Sequence, residues 1–199
     1  MRRLIDIFAS ALALLALLPL LVLAALAIVI DSPGSPVYLA WRCGLHGRQF
    51  RMWKFRTMVR NADSLGPAIT GNQDPRITRL GRLLRVTKID ELPQFVNVLA
   101  GDMTLVGPRP ETPGIVALYT AEQRRVLSVK PGVTGRCQLS GEESESIPSG
   151  VEPQQYYVRN VMQHKLQSDL DYLETRTAWS DARIVRDTVG LILKQLVQK

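Results

Sequence analysis

From Ile7 to Ile30 the chain runs 24 residues without a charge, preceded by Arg2 and Arg3 and followed by Arg42, Arg48, Arg51, Lys54 and Arg56. An apolar run of that length suits a membrane helix, yet its flanks are unusual. Lys and Arg gather on the cytoplasmic side of a span, and here both sides are basic. Pro19 lies near the middle, lacks a backbone N–H and clashes with the preceding turn. It predicts two arms, Ile7 to Leu18 and Leu20 to Ile30, each roughly 17 Å long and about half of a ~30 Å hydrocarbon core. A helix within residues 1–31 that enters, bends and leaves on one side fits both features. Two plainer readings stay open. One is a straight anchor, since Pro is tolerated in membrane helices. The other is a signal peptide cleaved near Ala25-Leu26-Ala27, although the run exceeds the usual apolar core of such peptides.

Beyond the first thirty residues the pattern becomes polar and mixed, and residues 32–199 suit one domain by length. The expected class is mixed α/β, mostly helical, with a short β element. Asp31 to Pro36 is dense in turn formers. Val37 to Phe55 reads as a strand pair, or a strand and loop, broken by Gly44 and Gly47. A loop holding Gly66-Pro67 and Gly71 follows, then a short helix over Leu80 to Val86. Pro93 to Ala100 predicts a helix with Pro at its start and Gly101 past its end. Gly107 to Pro110 is too Pro-rich for regular structure. Residues 115–129 and 154–173 read as helical, Lys130 to Gly141 as irregular or extended, and Gly141 to Pro153 as a polar loop. From Ser180, a candidate cap, to Lys199 the apolar residues Ile184, Val185, Thr188, Val189, Ile192, Leu193 and Leu196 recur at helical spacing, opposite Arg183, Arg186, Asp187 and Lys194. That helix either lies in a membrane interface or packs its stripe on the domain.

Charge narrows the partners. The 199 residues carry a net charge of +7 and a pI near 9.8, which draws anions in general. Basic residues just behind a membrane tether favour lipid headgroups and phosphate over DNA. No helix-turn-helix, zinc-finger or aromatic RNA-binding motif supports nucleic acid. Cys43 and Cys137 are too few for a disulfide framework and have no zinc spacing.

Three stretches carry chemistry. Arg85 to Pro93 puts Asp90 and Glu91 before or within the first turn of the helix that Pro93 opens, where unpaired N–H groups and the helix dipole favour ionised carboxylates; Arg85 and Lys88 add to this. An ionised Asp serves as nucleophile or metal ligand, while paired acids at a helix start also serve as caps. Pro108 and Pro110 restrict the backbone around Arg109, whose planar fork matches phosphate or carboxylate; a rigid turn with a solvated Arg is the plainer alternative. Lys54 to Met58 adds cations that suit a solvated face or lipid headgroups.

Taken together, Ser32 to Val37 with Arg42, Gly44, Gly47 and Phe50, then Lys54 to Met58, Asp74 to Gly81, Asp90 to Gln94, Asn97 to Leu99, Gly101 to Met103, Leu105 to Glu111 and Pro131 to Gly135 resemble the bacterial sugar transferases. More narrowly they resemble the monotopic polyprenyl-phosphate phosphoglycosyl transferases, with matches in order from Arg3 to about Thr188. The resemblance implies transfer of a phosphosugar from a UDP-sugar to polyprenol phosphate, with release of UMP, at the cytoplasmic face of a bacterial inner membrane. It implies that Asp90 attacks the β-phosphate to form an aspartyl phosphosugar with Mg²⁺ assisting, and that Glu91 is its metal or positioning partner. Lys54, Arg85 and Arg109, with Pro108 and Pro110, would bind phosphate and nucleotide, and Asp169 would lie near the metal. Two departures stand out. The family's Ser-Pro at the membrane break is Leu18-Pro19 here. After Gly135, the family's aromatic and closing Asn/Ser-Gly-Arg are replaced by Arg136 and by Ser140-Gly141-Glu142, so Arg136 becomes a candidate phosphate contact. A catalytically silent scaffold of a glycan-assembly complex is the alternative, and a homo-oligomer stays open.

Overall fold

The computed structural model describes residues 2–66, 69, 74–139, 148 and 150–197, with side chains as far as Lys194. In chain order the elements are α1 (Arg2–Asp31), β1 (Val37–Cys43), β2 (Gln49–Phe55), α2 (Ala62–Leu65), α3 (Arg79–Val86), α4 (Gln94–Ala100), β3 (Thr104–Val106), α5 (Pro113–Val116), β4 (Gly132–Thr134), α6 (Arg136–Leu139), α7 (Pro153–Tyr156), α8 (Met162–Thr175) and α9 (Ala178–Val197). Among the described residues the fold is mostly helical with two small sheets, an antiparallel β1–β2 hairpin and a parallel β3–β4 pair.

The α1 helix does not divide at Pro19; it is helical from Arg2 to Asp31. A proline removes one N–H and disturbs one turn, and the Leu and Ala around it are strong helix formers that hold the turns on either side. Both ends of α1 meet the same domain. At the start, Arg3 donates to the Val98 and Leu99 carbonyls at the C-terminal end of α4, Asp6 accepts from Thr104 Oγ1 (2.7 Å) and the Leu105 N–H (3.3 Å), and Arg2 pairs with Asp181 of α9. At the far end Ala24 and Ile28 pack with Phe55, Leu84 and Ile89, and Arg56 donates to the Ser32 and Pro33 carbonyls. The opposite side of α1 presents Leu4, Phe8, Leu12, Leu15, Leu23, Leu26 and Ile30 to the surroundings. By length and composition α1 is able to cross a membrane, and its most apolar window is only 11% buried, unlike a core helix.

Alternation makes the hairpin. Val37 pairs with Phe55, Leu39 with Trp53 and Trp41 with Arg51, so these share one face, while Ala40, Met52 and Phe50 on the other join Val98 and Met103 in a core. The turn closes through Gly47 at φ 76°. Asn97 of α4 seals the free edge of β2, accepting from the Trp53 N–H (2.9 Å) and donating to the Arg51 carbonyl (2.7 Å). The expected α4 forms, ending at Gly101 with φ 94°.

Elsewhere the chain departs from the pattern. Residues 115–129 are not one helix: α5 stops at Val116, and a 3₁₀ segment runs over Gln123–Ser128. Thr120 and Gln123 exchange side-chain-to-backbone bonds and restart the chain there. The stretch after Lys130 forms β4 and α6, and residues 157–161 take a π turn between α7 and α8. The last helix begins at Ala178, capped by Thr177 rather than by Ser180. Thr177 Oγ1 accepts from the Ser180 N–H and Ser180 Oγ accepts from the Thr177 N–H, a reciprocal cap. Its apolar stripe divides. Ile184 is buried against Val106 and Tyr172, and Thr188 bonds Thr134, whereas Trp179, Val185, Val189 and Leu193 face outward. Pro67, Gly71, most of the 141–153 loop and Lys199 lie outside the described residues.

Candidate active site

Asp90 and Glu91 do not cap α4. They sit in a 3₁₀ turn of their own, Ile89–Glu91, entered through Lys88 at φ 58°, while Pro93 stands at the start of α4 with no side-chain cap bond. That turn is packed between two supports. Ile89 enters the cluster that α1 forms with Leu84 and Phe55, and Leu92 and Pro93 lead into α4, which α1 and the hairpin cover.

The two carboxylates are treated in opposite ways. Glu91 accepts both arms of the Arg109 fork (Nη2 to Oε1 2.5 Å, Nη1 to Oε2 3.0 Å) and Lys54 Nζ at 3.1 Å. Burial would raise its carboxyl, but Arg109 and Lys54 outweigh burial and hold it well below the usual range. Asp90 is 6% exposed, and its Oδ1 has no hydrogen-bond partner among the described residues. Burial, helped by the Glu91 charge, pushes it up to about 6 against the opposing pull of Lys54, Lys88 and Arg85. Position and nearby cations favour the ionised form at both acids, but at Asp90 desolvation outweighs them and raises its pKa, whereas at Glu91 the cations prevail.

The cations come from four directions. Lys54 lies on the core face of β2, and burial lowers its ammonium, with Glu91 opposing that shift only in part. Arg85, on the last turn of α3, places Nε 2.9 Å from Thr57 Oγ1 and feels Asp90. α3 can approach that closely only because residue 81 is glycine: a Cβ there would come within 2.0 Å of the Thr57 carbonyl oxygen. Arg109 is held by its loop. Gly107 donates to Thr134, Gly132 donates to the carbonyl of the buried Pro108, and Cys43 donates to the Glu111 carbonyl. The Pro131–Gly135 motif and the proline-flanked arginine thus fix one another. Arg42 adds a partly buried charge facing Glu111, Arg109 and Glu91.

Sequence reasoning missed a second polar cluster behind that loop. Glu111 accepts from Lys165 and from the Tyr157 hydroxyl, and Lys165 lies 3.1 Å from that hydroxyl. Lys165 is 3% exposed, so the pair is buried; Lys165 and Tyr157 hold Glu111 below the usual range against burial. The signal was half present, because Glu111 sits in a quoted motif, but its partner is 54 residues away. Arg3, Asp6 and Thr57 were likewise invisible as site supports.

Two expected site residues lie on other elements. Asp169 is on α8 and 2% exposed. Arg136 is exposed at the start of α6. Glu142 lies outside the described residues. Among the described residues no group of three or more His, Cys, Asp or Glu is assembled as a metal cluster. Such a cluster is not required by a Mg²⁺ that takes one or two carboxylates and completes its shell from water and phosphate. The unpartnered Asp90 Oδ1 and the remaining capacity of Glu91 Oε2 fit that demand.

A family model described as bacterial sugar transferase matches residues 1–195. The chain belongs to the bacterial sugar transferases. Among curated members of that family, it is 40% identical over 195 residues to a UDP-glucose:undecaprenyl-phosphate glucose-1-phosphate transferase of Caulobacter vibrioides, covering 96% of this chain and 69% of that protein. It is 40% identical to an undecaprenyl-phosphate glucose phosphotransferase of Komagataeibacter xylinus, over 94% of this chain and 35% of that protein. A third bacterial sugar transferase, from Aeromonas hydrophila and named for transfer of N-acetylgalactosamine phosphate from its UDP donor to undecaprenyl phosphate, is 34% identical over 96% of this chain and 43% of its own length. This bacterial sugar transferase therefore spans about two thirds of one such relative and less than half of each of the other two.

Proposed function

We propose that this protein transfers a phosphosugar from a UDP-sugar to a polyprenol phosphate, releasing UMP, with Asp90 as the nucleophile. The observation that carries the reading is the asymmetry of the acid pair: one carboxylate locked between two cations, its neighbour buried with an oxygen left unbonded. A group meant only to hold the fold would be paired like Glu91. Asp90 is poised to exchange its proton near neutrality, and a carboxylate stripped of water is a better nucleophile.

In the forward half-reaction an Asp90 oxygen forms a bond to the β-phosphorus of the donor while the bond from that phosphorus to the bridging oxygen breaks, and UMP departs with the electron pair. An oxygen of the polyprenol phosphate then attacks the same phosphorus, which frees the Asp90 carboxylate and yields the polyprenyl diphosphate sugar. Two anions must meet in the first step, so positive charge is needed on the phosphoryl oxygens. Lys54, Arg85, Arg109 and Arg42 supply fixed charge around the turn, Pro108 and Pro110 limit how far Arg109 strays, and Arg136 serves as an outer contact for the donor. Glu91 holds Lys54 and Arg109 in place until the diphosphate competes for them. Mg²⁺, when bound at Asp90 and Glu91, would supply further neutralisation of the diphosphate, with Asp169 as a further carboxylate near the metal.

The apolar outward rows of α1 and α9 support membrane seating, with the domain on the cytoplasmic side of a bacterial inner membrane. Attachment of both ends of α1 to one domain supports insertion from that side rather than a crossing. Relatives named for glucose and for N-acetylgalactosamine leave the sugar open. The test is UMP release from a panel of UDP-sugars, each with and without polyprenol phosphate. Sustained UMP release from one donor with polyprenol phosphate, and no more than one UMP per protein without it, is expected; no UMP from any donor by folded protein in membranes favours the silent scaffold.

A further inference from the structure

The hairpin has a face that the proposed chemistry does not use. Lys54 and Met52 turn toward the site and core; the alternate residues turn away. Register places Phe55, Leu39 and Trp53, then Trp41 and Arg51, in one continuous row on that outer face. Phe55 is buried against Ala24 and Ile28 of α1, and beyond it Leu39, Trp53 and Trp41 are 36%, 38% and 50% exposed. Two exposed tryptophans side by side with a leucine form an apolar patch of the kind that marks a contact surface.

We propose that this outer hairpin face is a lipid-contact surface that seats in the headgroup zone of an anionic phospholipid bilayer. The proposal rests on the membrane reading of α1 and extends it to an element that reading does not require.

Three observations choose lipid as the occupant. The face is continuous with α1: the strand side that packs Phe55 onto α1 exposes the tryptophans, and Asn97, which bonds β2 at Arg51 and Trp53, belongs to the helix whose end holds Arg3 of α1. The hairpin is thus joined to both attachment regions of α1, directly through Phe55 at one and through α4 at the other. The side chains are those of a membrane–water boundary, where tryptophan rings sit at headgroup level; the Arg51 guanidinium lies 4.1 Å from the centroid of Trp41, a stacked cation beside an apolar ring. Charge is complementary as well. Residues 32–62 hold six cations, Arg42, Arg48, Arg51, Lys54, Arg56 and Arg60, and no Asp or Glu. Of these Arg48 and Arg51 are exposed at the hairpin's outer end, where anionic headgroups would be met.

The chain has three tryptophans, so Trp179→Phe leaves only the hairpin pair as emitters. That full-length variant is reconstituted in phosphatidylcholine–phosphatidylglycerol vesicles, shown to float with them, and compared in vesicles whose lipids are brominated high on the acyl chain or deep within it. Loss of Trp41 and Trp53 emission with the high label, greater than with the deep label, is the expected result. A floating chain whose emission ignores both labels and is quenched by aqueous acrylamide would place the face in water and overturn the proposal while leaving α1 as an anchor. Protection from both lipid label and acrylamide would mean that a second copy or another protein covers the face, which also overturns it. A chain that does not float at all defeats the membrane reading itself.

Discussion

Asp90 and Glu91 are adjacent, chemically alike and pushed in opposite directions, and the cause is which side chains each can reach. Glu91 takes Arg109 and Lys54; Asp90 takes the interior. The two should therefore respond oppositely to loss of charge. Asp90→Asn removes a buried, poorly satisfied carboxylate and should abolish UMP release without lowering the melting temperature near neutral pH. Glu91→Gln leaves Lys54 and Arg109 buried without their anion, which should lose about 3 kcal/mol in chemical denaturation along with activity. The pH dependence follows the same split. The Asp90 carboxyl rises from 3.8 to about 6 on folding, so its contribution to stability is present in full below its unfolded value and is lost as pH rises through about 6. Ionisation over that interval supplies the nucleophile, so UMP release in the donor half-reaction should climb with a midpoint near 6. A midpoint near 4 would mean that Asp90 is not the desolvated group described. Glu91, held below its ordinary 4.5, contributes stability above that value and loses it as pH falls through its folded one.

At the scale of elements, contacts between backbones aim the side chains. α3 brings Arg85 to Thr57 through a glycine contact, and Gly81→Ala would force the helix off the strand exit. The expected loss is about 3 kcal/mol, in the range of an overpacked interior, with a lower rate of UMP release even below the melting transition; a variant of unchanged stability and activity would show that the helix has slack there. The hairpin and α4 were legible because alternation, Pro93 and Gly101 are local signals. So was the acid pair, because its family motif is contiguous. What the sequence hid depends on distant partners: the Glu111–Lys165–Tyr157 cluster, the Asp6 and Arg3 bonds of α1, and the cap at Thr177, where a Thr-x-x-Ser pair outcompetes the more obvious Ser180. Residues 115–129 misled for a related reason, since their apolar spacing fits a helix that the Thr120–Gln123 exchange interrupts.

For the whole molecule, the arrangement of α1 sets where the chemistry happens. A straight 30-residue helix is about 45 Å long and would carry Arg2 across a bilayer, yet Arg2, Arg3 and Asp6 bond to the domain that also receives Ala24 and Ile28. A reporter cysteine at the N-terminus of a Cys43→Ser, Cys137→Ser protein should resist a membrane-impermeant thiol reagent added to intact cells and react once the inner membrane is opened. Labelling of intact cells would make α1 a conventional span and detach the Asp6 and Arg3 bonds from the native arrangement.

A nucleophilic Asp90 carries the phosphosugar between the two half-reactions, so it can be trapped. The protein is mixed with UDP-sugar without polyprenol phosphate, quenched, and measured by intact mass and then by fragmentation. One UMP released per protein and a phosphosugar adduct localised to Asp90, discharged when polyprenol phosphate is added, are expected. UMP formation that strictly requires the acceptor, with no adduct on Asp90 at any time, would contradict that role.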